Sequence, residues 1–384
     1  MTKQPMTFFI PTRVVHGLGS VAGLPGLVQS LGGTRVFLCA DEGLTRAGMT
    51  GKIAGLLEAA GTPFVVFDSV EEDPGTRTVH AGVEVFKAEG CDLVVALGGG
   101  SPLCAGKGIA LVAANGGVLT DYEGFGKAAV APYPVIAIPT TAGSGTEVSK
   151  VTILTDEERG FKMSILDERT YPRVAVLDGE LMATLPAGPA LVAGMDALAH
   201  ALDALWSIGA TPFSDALAVT SAATIFEMLP RAALTGDLAA KQAMLEASSA
   251  ANIATGTALP GLAHVLSQPL GRYHMSHGLA TGIMLPYTFE FNLPVAAHTV
   301  APIARLLGAD GSERELARWL LDRLWELMEE VGFPTSLDPS LIPVDDLPVL
   351  VEQCTKVVNY RLNLRHASPA DLTELYMAAL EEGA

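Results

Sequence analysis

Asp196 and His200 lie four residues apart in Gly-Met-Asp-Ala-Leu-Ala-His, an Ala- and Leu-rich stretch with helical spacing. One helix face therefore presents a carboxylate and an imidazole side by side. Two more histidines, His264 and His277, follow in a segment bounded by Gly261 and Gly278. Three imidazoles and one carboxylate make a donor set of intermediate softness, suited to Fe²⁺ or Zn²⁺ with room for an oxygen ligand. Taken singly, each of these residues is equally a polar pair on a helix or a histidine of a core or loop. Upstream, however, Gly98-Gly99-Gly100-Ser101-Pro102 follows an apolar run. A divalent cation that eases loss of a hydroxyl proton, paired with a nicotinamide that accepts hydride, is a known way to oxidise an alcohol. Together the two features point to an enzyme.

The glycine turn suits a phosphate because the backbone approaches closely with no Cβ in the way, and the N–H groups of the following helix favour negative charge. It is not a GxGxxG motif, and a tight strand-to-helix turn needs glycine in any case. A second loop, Pro139-Thr140-Thr141-Ala142-Gly143-Ser144-Gly145-Thr146, leaves another apolar run with four hydroxyls and two glycines. Hydroxyls there could bond phosphate or ribose oxygens, or simply cap a helix. Two such loops at the carboxyl ends of parallel strands make a shared ligand crevice. Asp41 ends the first strand, where a carboxylate accepts ribose hydroxyls and repels a 2′-phosphate. It favours NAD over NADP, although the same residue is also a natural N-cap.

The elements that must hold these residues follow from periodicity. Apolar runs at residues 36–40, 64–67, 93–97, 135–138 and 174–177 alternate with amphipathic stretches, which predicts a parallel sheet with helices on both faces. Residues 151–154 and 161–165 flank an Asp-Glu-Glu-Arg-Gly turn and predict an antiparallel hairpin attached to that sheet, with Lys162 on its second arm. Beyond Leu185-Pro186 the texture becomes Ala/Leu/Met-rich with helical spacing, predicting an all-helical second domain. Within it, residues 313–331 carry Leu316, Trp319, Leu320, Leu324 and Leu327 along one side, and Ser368-Pro369 reads as a helix start. The division expected is an α/β dinucleotide-binding domain, Rossmann-like, over 1–185, and an all-α metal-binding and catalytic domain over 186–384.

Bulk composition narrows the partners. The 384 residues are 49% hydrophobic and 17% charged, which excludes a disordered chain and allows two packed domains. A formal charge of −18 argues against nucleic acid and anionic membrane, both of which need a basic surface. Cys39, Cys91, Cys104 and Cys354 form no CxxC pair and read as reduced, buried thiols of a cytoplasmic protein. The apolar run Phe8-Phe9-Ile10 is too short for a signal peptide, and no stretch is expected to span a bilayer.

In combination and order, Gly98-Gly-Gly-Ser101, Pro139-Thr-Thr-Ala-Gly143, Lys162, Leu185-Pro186, Gly194-Met-Asp-Ala-Leu-Ala-His200, Gly261-Leu-Ala-His264, Pro269-Leu-Gly271 and His277-Gly278 resemble the iron-containing (group III) alcohol dehydrogenases. The resemblance runs from about Phe9 to Tyr376. It implies a two-domain dehydrogenase with its cofactor cleft between the domains, one divalent ion, usually Fe²⁺, on Asp196, His200, His264 and His277, and a dimer or larger assembly. The candidate cofactor-binding set is Asp41, Gly98, Gly99, Gly100, Ser101, Thr140, Thr141, Ser144, Ser149, Lys162 and Leu181, with NAD as the expected cofactor.

Three departures from the family pattern stand out. Cys104 replaces the usual Asp and, inside an apolar helix, reads as a packing residue. Gln268 occupies the place of a second histidine that relays the alcohol proton, and glutamine cannot titrate. The loop from Gly271 to His277 is one residue short and carries Arg272 and His274, read either as exposed loop polarity or as contacts for a polar or anionic substrate. An imidazole titrates near about pH 6.5, so His274, three residues before a candidate ligand, is the alternative relay. The expected partner is a small alcohol or aldehyde. Two enzymes resembling the same architecture compete with this reading. Dehydroquinate-synthase-like cyclases would need a dense set of Lys and Arg, and maleylacetate-reductase-like enzymes lack the Thr-Thr-Ala-Gly block. A non-catalytic binding role is the third option.

Overall fold

The computed structural model describes residues 7–381. Two compact units result, one spanning Ile10–Leu185 and the other formed by residues 186–381 with residues 7–9. In the first, six strands make one sheet: β1 (Arg13–His16), β2 (Val36–Cys39), β3 (Phe64–Phe67), β4 (Leu93–Gly98), β6 (Val135–Pro139) and β9 (Val174–Leu177). All pairings are parallel, in the order β1-β9-β6-β4-β2-β3.

The strands β2 and β4 are buried throughout, so each must be apolar on both faces. Alternate residues separate cleanly. Phe37, Cys39, Val94 and Ala96 join one core with α4 (Thr76–Ala88) and α5 (Gly100–Asn115), while Val36, Leu38, Leu93 and Val95 join another with α1 (Leu24–Ser30) and α3 (Met49–Ala59). The short α2 (Glu42–Arg46) leaves the end of β2. The chain runs from β2 outward to β3, then returns to β4 on the other side of β2. A crevice therefore opens beyond the carboxyl ends of β2 and β4, where such folds bind ligands.

The hairpin of β7 (Val151–Asp156) and β8 (Phe161–Leu166) corrects one expectation, because it does not attach to the main sheet. It builds a separate three-stranded sheet with β5 (Gly124–Phe125). The reason is packing: its inward residues Leu154, Met163 and Ile165 belong to the core that contains Ile109 and Val79. The hairpin thus covers the helix layer and leaves the sheet edge alone.

The second unit contains α6 (Ala187–Leu205), α7 (Pro212–Pro230), α8 (Leu238–Ala258), α9 (Leu262–Ser267), α10 (His277–Leu306), α11 (Glu313–Val331), α12 (Leu347–Lys356) and α13 (Pro369–Glu381). Apart from one isolated bridge, Ser207 to Asn363, it is helical among the described residues. A capping box of Ser312 and Glu315 starts α11, whose Leu316, Leu320, Leu324 and Leu327 are buried. Trp319, expected on that stripe, is 38% exposed; at 100° per residue it lies at the stripe's margin. Against the expectation of no bilayer-length segment, Pro212–Thr235 is long and apolar enough by length and composition, with half of its most apolar stretch buried. Packing of α7 against α6 and α8 accounts for that composition. All four cysteines are free and buried.

Candidate active site

Three helices of the second unit assemble the histidine cluster. Asp196 and His200 stand one turn apart on α6, His264 sits in α9 and His277 begins α10. Nε2 of His200 and Nε2 of His264 face each other at 3.2 Å. Asp196 Oδ1 lies 3.9 Å from His264 Nε2 and 3.8 Å from His277 Nε2. Ligand atoms of Asp196, His200 and His264 all fall within 4.8 Å of one another.

Proton positions explain why these nitrogens converge. His200 Nδ1 lies 2.9 Å from the Asp196 carbonyl oxygen, and His264 Nδ1 lies 2.8 Å from Asp203 Oδ2. The carbonyl only accepts, as does Asp203 in its ionised form, so a ring that donates from Nδ1 to either one turns the lone pair of Nε2 inward. Burial, reinforced by neighbouring His200, holds His264 well below its ordinary value of 6.5, in the neutral form. Ser267 Oγ, which donates to the His264 carbonyl, stands 3.4 Å from His277 Nδ1.

Two facing lone pairs repel, and Asp196 Oδ1 is buried with no hydrogen-bond partner. Both defects vanish if a cation occupies the point between them. Ligands at about 2.1 Å from a tetrahedral ion stand roughly 3.4 Å apart, close to the spacing of the two Nε2 atoms. The donor set therefore fits a divalent ion of the Fe²⁺ or Zn²⁺ type.

Asp203 was missed by the sequence reading. It is fully buried, three residues after His200 on α6, and accepts the backbone N–H of His264 at 3.3 Å besides its ring N–H. Burial pushes its carboxyl up to about 7 against the pull of the His264 and Ala263 backbone N–H groups. A signal was available: an acid at position 203 falls on the same helical face as Asp196 and His200, in a stretch otherwise Ala and Leu.

The two candidate relay residues are both exposed. His274 is exposed in the left-handed region with φ 58°, and its N–H bonds the Gly271 carbonyl. Gln268 is exposed just past α9. Tyr273, between Arg272 and His274, donates to Asp346 at 2.7 Å.

The first unit brings the glycine turn and the hydroxyl loop together. Thr140 N–H donates to the Gly98 carbonyl at 3.0 Å, since β4 and β6 are adjacent. A Cβ on Gly99 would meet Thr141 Oγ1 at 3.3 Å, and one on Gly100 would meet Ser144 Oγ at 3.3 Å. Gly98 has φ 147°, and its Cβ would clash with Pro102 at 2.6 Å. No side chain caps α5, which leaves the positive end of its dipole for an anion.

Other candidates are already engaged. Asp41 is the N-cap of α2, its Oδ1 accepting the Leu44 N–H at 2.8 Å. Ser149 Oγ accepts the Val151 N–H, and the buried Lys107 ammonium donates to the carbonyls of Ser149 at 2.6 Å and Val151 at 2.8 Å. Lys162 pairs with Asp73 Oδ1 at 2.6 Å, while the Asp73 N–H meets Ser101 Oγ at 3.3 Å. Leu181 is 2% exposed in the core with Val21 and Leu24. Cys104 is buried with Sγ 3.8 Å from Thr146 Oγ1, the packing role its helix implied.

A parallel sheet with an open glycine turn at its switch point, in one chain with a carboxylate–imidazole cluster fitted to a divalent ion, defines a nicotinamide-dependent oxidoreductase that uses a metal. Residues 11–179 match the model of iron-containing alcohol dehydrogenases, and residues 190–380 match that of the C-terminal domain of the same enzymes. The chain belongs to the iron-containing alcohol dehydrogenase family. It is 35% identical to the NAD-dependent methanol dehydrogenase of Bacillus methanolicus, covering 97% of this chain and 99% of that protein. Its fold is similar to a solved 1,3-propanediol oxidoreductase, with TM-score 0.94, 32% identity and coverage of 98% and 100%. It is also similar to the sulfoacetaldehyde reductase of Bifidobacterium kashiwanohense solved with NAD⁺, with TM-score 0.89, 26% identity and coverage of 98% and 99%.

Proposed function

We propose that the protein oxidises a small alcohol to its aldehyde with NAD⁺, or runs the reverse reaction, at an ion held by Asp196, His200, His264 and His277. The observation that carries the reading is the pair of Nε2 atoms facing each other at 3.2 Å beside the unpartnered Asp196 Oδ1. When bound, the ion supplies Lewis acidity that eases loss of the alcohol proton. Fe²⁺ is the expected metal, with Zn²⁺ equally served by the same donors.

The chain's own residues bind, orient and move protons. Gly98, Gly99, Gly100 and Ser101 offer backbone N–H groups to the pyrophosphate, and Thr140, Thr141 and Ser144 offer hydroxyls beside them. Asp41, with one carboxylate oxygen engaged in its cap, disfavours a 2′-phosphate and selects NAD. Lys162 and Ser149 complete the candidate cofactor contacts. His274, exposed three residues ahead of His277, is the alternative proton relay or substrate contact in place of Gln268. Slower oxidation by His274→Ala at neutral pH, partly restored at alkaline pH, supports that role, and an unchanged pH–rate profile removes it. By family resemblance the working form is a cytoplasmic homodimer or larger, which light scattering of the purified protein tests.

The deciding experiment is a turnover screen of short alcohols, diols and hydroxy acids, after reconstitution with Fe²⁺ or Zn²⁺, with NAD and NADP in parallel. NADH formation that follows metal content supports the reading. Stoichiometric metal without turnover on any of them rejects it.

A further inference from the structure

The helix that carries His264 is only six residues long and gains little stability from its own hydrogen bonds. Its position is set by groups from elsewhere in the chain. At its start, Asp203 accepts the N–H groups of Ala263 at 3.4 Å and His264 at 3.3 Å, besides the His264 ring at 2.8 Å. At its end, Tyr376 donates to the Leu266 carbonyl at 2.6 Å, and Cys354 Sγ lies 3.4 Å from the Val265 carbonyl.

The two ends differ in kind. Tyr376 and Cys354 touch backbone alone, whereas Asp203 touches both backbone and the ring of the candidate ligand. Gly261 makes that approach feasible: a Cβ there would stand 2.8 Å from Asp203 Oδ1 and 2.9 Å from its Cγ. The backbone of Gly261, at φ −97°, does not itself demand glycine, so the requirement is space for the carboxylate.

We propose that Asp203 is the positioning residue of the metal site: it holds the His264 proton on Nδ1, aims Nε2 inward and thereby sets metal affinity. The inference rests on the reading of His264 as a ligand. A carboxylate behind a ligating imidazole fixes tautomer and ring orientation and raises ligand basicity. Asp203→Asn keeps the volume but replaces one acceptor oxygen with an NH₂ group that faces N–H donors.

The test compares wild type, Asp203→Asn and Tyr376→Phe, each stripped of metal and titrated with Co²⁺ against a chromophoric chelator. Asp203→Asn should bind Co²⁺ about 10–100-fold more weakly, with shifted visible absorption bands. Tyr376→Phe, which loosens the other end of the same helix without touching the ring, should stay within about threefold of wild type. Unchanged affinity and spectrum in Asp203→Asn would overturn the proposal. Equal weakening in Tyr376→Phe would overturn it too, because helix seating alone would then explain the effect. Should Asp203→Asn fail to fold by circular dichroism, Gly261→Ala displaces the same carboxylate and should weaken binding likewise; wild-type affinity there sinks the idea. Failure of the wild type to bind Co²⁺ stoichiometrically overturns the ligand reading itself, and the inference with it.

Discussion

The cofactor turn and the histidine cluster solve the problem of binding by opposite means. Around Gly98–Ser101 the ligand is offered backbone N–H groups and small hydroxyls, and the sequence contributes mainly by leaving side chains out. Around His264 the candidate ligand atoms all belong to side chains, and four of these from three helices must each have one identity and one direction, with the ring protons fixed by a backbone carbonyl and a carboxylate. The first design depends on shape within a contiguous stretch. The second depends on chemistry spread over some eighty residues of sequence, and an error at a single atom disables it.

Four changes break or sharpen that contrast. His264→Ala should have the largest effect, with metal affinity falling well beyond roughly 100-fold and turnover lost, while circular dichroism and NAD binding stay near wild type. Full metal stoichiometry with full activity would remove His264 from the ligand set. Gly98→Ala should do the reverse, because a side chain at φ 147° is strained and meets Pro102. Its cost is about 1–3 kcal/mol, NAD affinity should drop at least severalfold, and metal content should not change. Equal loss of both ligands would show that the two regions are not independent.

Lys107 offers a test through pH. Burial lowers its ammonium from 10.5 to about 8, against the raising influence of Cys104 and Glu147. Between those values the unfolded chain holds a proton that the folded chain has released, so raising the pH favours folding. The stability of wild type relative to Lys107→Met should therefore climb from pH 8 to 10.5, by up to about 3 kcal/mol. A flat difference in denaturant midpoints would refute the buried-charge assignment. Below pH 8 the variant also frees the carbonyls of Ser149 and Val151, which should raise the KM for NAD more than it lowers kcat. The smallest effect is expected of Asp41→Gly, which should narrow the preference for NAD over NADP about tenfold or less. An unchanged ratio of kcat/KM values would mean that Asp41 only caps α2.

Much of this contrast is written in the amino-acid order itself. The strands β2 and β4 were legible because runs such as Leu93-Val-Val-Ala-Leu97 are apolar on both faces. The Asp196–His200 pair was legible because a spacing of four has one meaning on a helix. The hairpin's partner was misjudged, since period-two alternation says which face is buried but not against what. Leu181 illustrates the same limit, as its burial in the core with Leu24 depends on an element over 150 residues away.

The sequence alone determined whatever is local: strand and helix periods, the glycine turn that only residues without Cβ atoms permit, the capping box of α11 and the face shared by Asp196 and His200. Tertiary structure decided whatever joins distant stretches. Asp203 behind His264 spans 61 residues, Tyr376 under Leu266 spans 110, and Lys162 with Asp73 spans 89. Backbone geometry repeats every few residues and so leaves its mark in the order of amino acids. The distance between two helices is set by the volumes packed between them, and no short stretch of sequence records that sum.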